Sequence, residues 1–255
     1  MVHWHPLRFL ILFCSLFWVS LQAKTLHAHY RVEYGILGKV ADVNVTLNRT
    51  KSGYTIEAYV AAYGSLAKMV TENLHEHHIS KGSIKHHLLV TDTYTMHKTY
   101  GVYKSQTTYI RKGRYNRVYK RYKRWKHNRL ELSQNYRLNY RASDDLLSFF
   151  LNLPSKLKEK KPGASYHFRV IGADRKAGLV TVRIPLKREH RAYERLLGKL
   201  QKQERYIKVI MYRKLYGSKQ GELEVRIDQT GIVRYAVLED LLFFGDVRII
   251  LEKLW

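Results

Sequence analysis

The sequence predicts a mainly β fold, a large curved antiparallel sheet of half-barrel type with two short helices. Long stretches alternate apolar and polar residues at period two, as half-buried strands do. Turn-forming residues separate these stretches. Only two short segments carry apolar residues at helical spacing.

The alternation begins at Ala41, Val43, Val45 and Leu47, with Asp42, Asn44, Thr46 and Asn48 on the opposite face. The loop RTKSG then turns the chain into Tyr54, Ile56, Ala58 and Val60. In LHEHHISKGSIKHHL, the SKGS segment (Ser80–Ser83) reads as a two-residue hairpin turn. A first helix is expected over Ser143–Pro154, SDDLLSFFLNLP. Ser143 is its cap, two acidic residues occupy its first turn, and it stops at the proline. Tyr166, Phe168 and Val170 form the next strand, followed by Val180, Val182 and Ile184. A second helix is expected from about Lys187 to Leu197, capped by Gly198. Leu223, Val225 and Ile227 lead through the turn DQTG to Val233, Tyr235 and Val237, read as one face. Val247, Ile249 and Leu251 form the last strand. The whole is an antiparallel meander, with the helices over an open face or end.

Residues 1–23 read as a signal peptide and residues 24–255 as one β-rich domain. Arg8 precedes the apolar run Phe9–Val19, and Ala23 stands at the cleavage edge. A run of this length suits export; a spanning helix wants about 20 residues. A cut after Ala28 and an uncleaved N-terminal anchor are the alternatives. The expected location is the periplasm. Cys14, the single cysteine, leaves with the leader, which excludes disulfides and thiolate chemistry in the mature chain. Removing Arg8 leaves 45 Lys and Arg against 21 Asp and Glu, a formal +24. Such an excess bears on partners and solubility. For an exported chain the anions at hand are lipid headgroups and envelope polymers, and no specific nucleic acid is expected.

Residues 111–130, RKGRYNRVYKRYKRWKHNRL, hold ten Lys and Arg and no acid. A helix would place Tyr115, Tyr119, Tyr122 and Trp125 on one stripe, as at a membrane surface. A strand would turn Tyr122 away from the other three. The cationic candidates for anionic contact are Arg111, Lys112, Arg114, Arg117, Lys120, Arg121, Lys123, Arg124, Lys126 and Arg129, with Trp125 among them. Each surface cation is worth roughly 1 kcal/mol against anionic lipid. The plainer reading is a solvated, self-repelling strand pair that protects a sheet edge. His75, His77, His86 and His87 are the metal candidates, because an SKGS turn would set His77 opposite His86 and Glu76 opposite His87. Exposed histidines without fixed ligand geometry are the simpler account. No GxSxG, HExxH or P-loop segment occurs. Asp144 and Asp145 read as helix-capping residues. The chain is therefore read as non-enzymatic, and no cofactor is expected.

HYRVEYGILGKVADVNVTL, DDLLSFFLNL and GELEVRIDQTGIVRYAVLEDLLFFGDVRIILE together resemble the bacterial exported family called domain of unknown function 3108, over about residues 28–252. Asp145, Leu147 and Ser148 match its mid-chain segment; Gly245, Asp246, Val247 and Leu251 match its closing strand pair. The resemblance implies a periplasmic β-rich fold akin to lipoprotein-carrier half-barrels, which hold an acyl chain in a concave sheet. It implies no catalytic residues. The functional expectation is an envelope protein binding a lipid or other apolar ligand in its concave face, with its basic surface toward anionic envelope components. A scaffold module without ligand and a histidine metal site are the alternatives.

Overall fold

The computed structural model describes residues 24–113, 115–173, 175–211, 221–241 and 245–255. The proposed leader and Arg114 lie outside them. The described strands form one curved sheet. Its first wing is β1 (Lys24–Tyr34), β2 (Lys39–Arg49), β3 (Gly53–Ala62), β4 (His75–Lys85), β5 (Leu88–Tyr100), β6 (Tyr103–Lys112), β7 (Arg117–Lys126) and β8 (Arg129–Arg141). The short β9 (Asp144–Asp145) leads to the second wing: β10 (Ser165–Ile171), β11 (Leu179–Arg183), β12 (Glu204–Ile210), β13 (Glu222–Asp228), β14 (Val233–Leu241) and β15 (Gly245–Leu254). The order is β8 back to β1, then β15 back to β9, so β1 joins β15 at the centre. Neighbours are antiparallel except β9, which runs parallel to β10. Ala28 is buried and pairs with Val45, so a cut after Ala28 would remove five paired residues of β1.

The helices are α1 (Ser65–Val70), which the sequence did not announce, α2 (Leu146–Lys156) and α3 (His190–Leu197). A 3-10 turn at Lys187–Glu189 precedes α3, and Gly198 closes it at φ 75°. The expected cap of α2 is corrected. Asp145 caps it, accepting from the backbone N–H groups of Leu147 and Ser148 at 2.7 and 3.1 Å, while the Ser148 hydroxyl accepts from the Asp145 N–H. Ser143 instead offers its carbonyl to the N–H of Thr91. Pro154 lies within the helix rather than ending it.

α2 lies across the concave side and joins the wings. Phe149, Leu153 and Leu157 pack against Val170, Val180, Val182, Ile207, Val225 and Ile227 of the second wing. Leu147 and Leu151 pack against Leu47, Tyr54, Ile56 and Leu89 of the first. Buried aliphatic side chains of this kind are each worth roughly 1.5–3 kcal/mol. Gly231 permits the approach: a Cβ there would stand 2.4 Å from the Leu151 Cα, and its φ is 87°. α3 covers the other side of the sheet, where Tyr193 and Leu197 meet Tyr206 and Val237. The reading of Val233, Tyr235 and Val237 as one face is therefore corrected. A bulge opposite Arg226 and Ile227 turns Val233 to the main core, with Ala236 and Leu238, and leaves Tyr235 and Val237 under α3.

The ends of the sheet approach one another over a cluster of Tyr94, Tyr109, Val118, Tyr140, Ala142 and Ile171. The Tyr140 ring lies against Gly178. The result is a barrel-like shell closed at one seam by side chains.

Candidate functional site

β4 to β8 build the part of the concave face that α2 leaves open. Strand alternation sends every second residue inward, and the register aligns them in rows: His78, Met96, Thr107, Tyr122 and Gln134, then Ser80, Tyr94, Tyr109, Lys120 and Tyr136. All of these except the fully buried Ser80 and Tyr94, together with Glu76, Lys98 and Gly172, line a cleft of about 580 Å³. Gly172 comes from the second wing, so the cleft sits at the seam.

The cleft floor is a polar relay. Glu76 accepts from His78 Nε2 at 2.9 Å and from Lys98 Nζ at 3.0 Å. His78 Nδ1 in turn lies 2.8 Å from the Tyr94 hydroxyl. Burial pushes the Glu76 carboxyl upward, but the His78 hydrogen bond and the Lys98 charge outweigh it and hold the group at about 2. Lys120 Nζ stands 5.3 and 5.7 Å from the ring centres of Tyr109 and Tyr136. Two ammonium groups, several phenol hydroxyls and one carboxylate face this space. It suits a hydroxylated anion better than a hydrocarbon.

Beneath the relay, Asp145 is fully buried. Its carboxylate accepts from the hydroxyls of Ser80 and Thr91 as well as from the α2 backbone. The Tyr54 hydroxyl lies 3.0 Å from each of those two hydroxyls. Burial raises the Asp145 carboxyl above the usual carboxylate range against these donors. Asn152 pairs with the backbone N–H and C=O of Leu89 and with Asp144, which Lys156 meets at 2.8 Å. These groups fasten α2 to β4 and β5 as a structural anchor. No reactive geometry follows from them.

The basic run forms strands, and the register divides it. Tyr122 and Lys120 point into the cleft, while Arg117, Tyr119, Arg121, Lys123 and Trp125 lie on the convex side beside Lys104, Lys112 and Arg137. Trp125 lines a convex groove of about 320 Å³ with His97, Thr99, Gln106 and Asn128. Arg111 is corrected as a surface contact. It is largely buried, bonded to Asp92 at 2.5 Å, to Asn116 at 2.7 Å and to the Thr91 carbonyl. Arg124 pairs with Glu131 at 3.2 Å, and Lys126 Nζ lies 5.6 Å from the Tyr103 ring centre. Arg129 opens β8 and is exposed.

The histidine constellation is also corrected. Lys81 and Gly82 form a bulge within a continuous β4, where a Cβ on Gly82 would stand 2.1 Å from the Val90 carbonyl oxygen. The turn falls at His86 and His87, with φ 49° and 65°, a two-residue primed turn. His86 is thus nine residues from His77 along the strand, roughly 30 Å at strand rise. His77 instead stacks on Tyr59 with ring centres 3.8 Å apart, meets Glu57 at 3.0 Å, and pairs with His97. His75 pairs with Thr99. Among the described residues no three His, Cys, Asp or Glu side chains are grouped so as to hold a metal ion.

No family model matches the chain, and no curated protein matches it. Among solved structures it is similar to the crystal structure of a beta-barrel-like protein of domain of unknown function DUF1849 from Brucella abortus. The two share 12% identity over 90% of this chain and 96% of that one, with a TM-score of 0.49. That likeness concerns the fold, and nothing about ligand or activity is taken from it. No described helix is long and apolar enough to cross a membrane.

Proposed function

We propose that this chain is a non-enzymatic cell-envelope protein, exported on a leader within residues 1–23, whose β6–β8 panel binds an anionic envelope component. The observation that carries this reading is charge asymmetry placed on geometry. Residues 101–141 contain thirteen Lys and Arg against one acid, Glu131. Arg117, Arg121, Lys123 and Arg137 lie on the convex side, and Lys120 in the cleft behind them. The resemblance to domain of unknown function 3108 belongs to the same proposal. A lipid enters it through its headgroup, since α2 and the core occupy the apolar part of the concave face.

The test is binding to polygalacturonate and to vesicles containing anionic lipid across a salt series. Attraction between exposed charges is screened over about 10 Å at 0.1 M salt, so affinity is expected to fall steeply with ionic strength. Reversing Arg121 and Lys123 to glutamate together is expected to weaken binding at least tenfold, at roughly 1 kcal/mol per cation. Salt-insensitive binding, or binding untouched by the double reversal, would overturn the reading. Co-purification of an acyl lipid that survives the reversal would point back to an apolar ligand.

A further inference from the structure

We infer that the free edge of β8 receives an extended acidic peptide segment of a partner protein as an added strand. This rests on the anionic-partner reading and names the class of partner.

β8 ends the sheet and pairs only with β7 among the described residues. Its second half is covered, because Leu138 and Tyr140 pack into the seam cluster. Its first half is not. Of residues 129–137, all but Leu132 are exposed. This leaves about 30 Å of strand with one backbone side open. Such an edge offers N–H and C=O groups at the repeat of a polypeptide backbone, and strand addition is how an extended peptide uses them. Neither a sugar polymer nor a lipid headgroup matches that repeat.

The side chains specify charge. An added strand would send alternate residues to the two faces of the sheet. On the convex side they would run beside Arg137 and, one strand further, Arg121 and Lys123, which pair with Asn135 and Ser133. On the concave side they would meet Gln134 and Tyr136, the lip of the cleft that holds Lys120 and Lys98. Acidic residues fit both rows, since opposite charges across strands attract. A second copy of this chain matches the panel less well. An antiparallel β8–β8 pair centred on Ser133 sets Arg129 opposite Arg137, and one centred on Asn135 sets Arg129 opposite Arg141, like charges that repel. One centred on Gln134 sets Glu131 opposite Arg137, but the partner strand then brings two arginines for its single acid.

The experiment titrates the full mature chain with a blocked eleven-residue peptide of alternating Glu and Thr. A second peptide of the same sequence is N-methylated at every other residue, and polygalacturonate serves as a third probe. The plain peptide is expected to bind at least tenfold more tightly than the methylated one, which keeps its charge but cannot pair. It is also expected to slow amide exchange within residues 129–137. Equal affinity for both peptides, or binding without slowed exchange there, would overturn strand addition while leaving the anionic reading intact. Failure of all three probes would overturn both.

Discussion

Glu76 shows how one side chain in the cleft couples charge to stability. Its carboxyl titrates near 4.5 in an unfolded chain and at about 2 in the fold. A depressed folded value contributes stability above the unfolded value and loses it as pH falls through the folded one. Glu76→Gln is therefore expected to cost up to about 3 kcal/mol at pH 7. The gap from wild type should close between about pH 5 and 2, as urea unfolding across a pH series would measure. A gap that does not change with pH would mean that the Lys98 and His78 contacts contribute little. Asp145 acts by a different route. Asp145→Ala would strip two N–H groups of their cap and two buried hydroxyls of their acceptor, an expected loss of about 3 kcal/mol. Asp145→Asn keeps the cap and should lose less. The sequence placed Ser143 at the cap and the acidic pair in the first turn. It carried no sign that Asp145 both caps the helix and binds Ser80 and Thr91, which lie 65 and 54 residues away. Partners that distant leave no local pattern.

At the level of elements, α2 is the piece that joins the wings. Asn152 stands in for a strand neighbour by bonding both backbone groups of Leu89. Asn152→Ala leaves those groups unpaired, and Leu153→Ala opens a cavity in the main core. We expect losses of about 2 kcal/mol and 2–5 kcal/mol, read by chemical denaturation. The periodicity of α2 was legible because its apolar residues must face two wings at once. Its boundaries were not, because Asp144 and Asp145 form a strand with β10 before the helix begins. The strands from β2 to β3 were legible for the same reason of alternation. SKGS was misread as a turn because glycine serves both turns and bulges, and the register of β4 against β5 decides between them. The His86–His87 turn carried no glycine or asparagine signal. The bulge in β14 likewise shifts which residues face the core, and period two cannot reveal a one-residue slip.

For the whole molecule, the two wings meet at a seam that is packed by side chains at Tyr140 and open along residues 129–137. Exchange of amide hydrogens should divide β8 accordingly: fast in its first half, slow at 138–141. Uniformly slow exchange along β8 would show that the edge is covered. The asymmetric charge follows the same division. The second wing packs on the main core and is covered in part by α3 on its other side, while the cationic panel lies at the exposed end of the first. The sequence identified the basic run and both its strand and helix possibilities. It could not separate Lys120 from Arg121, since which neighbour enters the cleft depends on register.

The account depends most on the panel being the contact surface for an anionic partner. Hydrogen–deuterium exchange of the mature chain with and without polygalacturonate, read by peptide mass spectrometry, tests this directly. Protection confined to residues 101–141 and the cleft strands β4 and β5 is the expected result. Protection centred on the second wing, or none at saturating polymer, would contradict it.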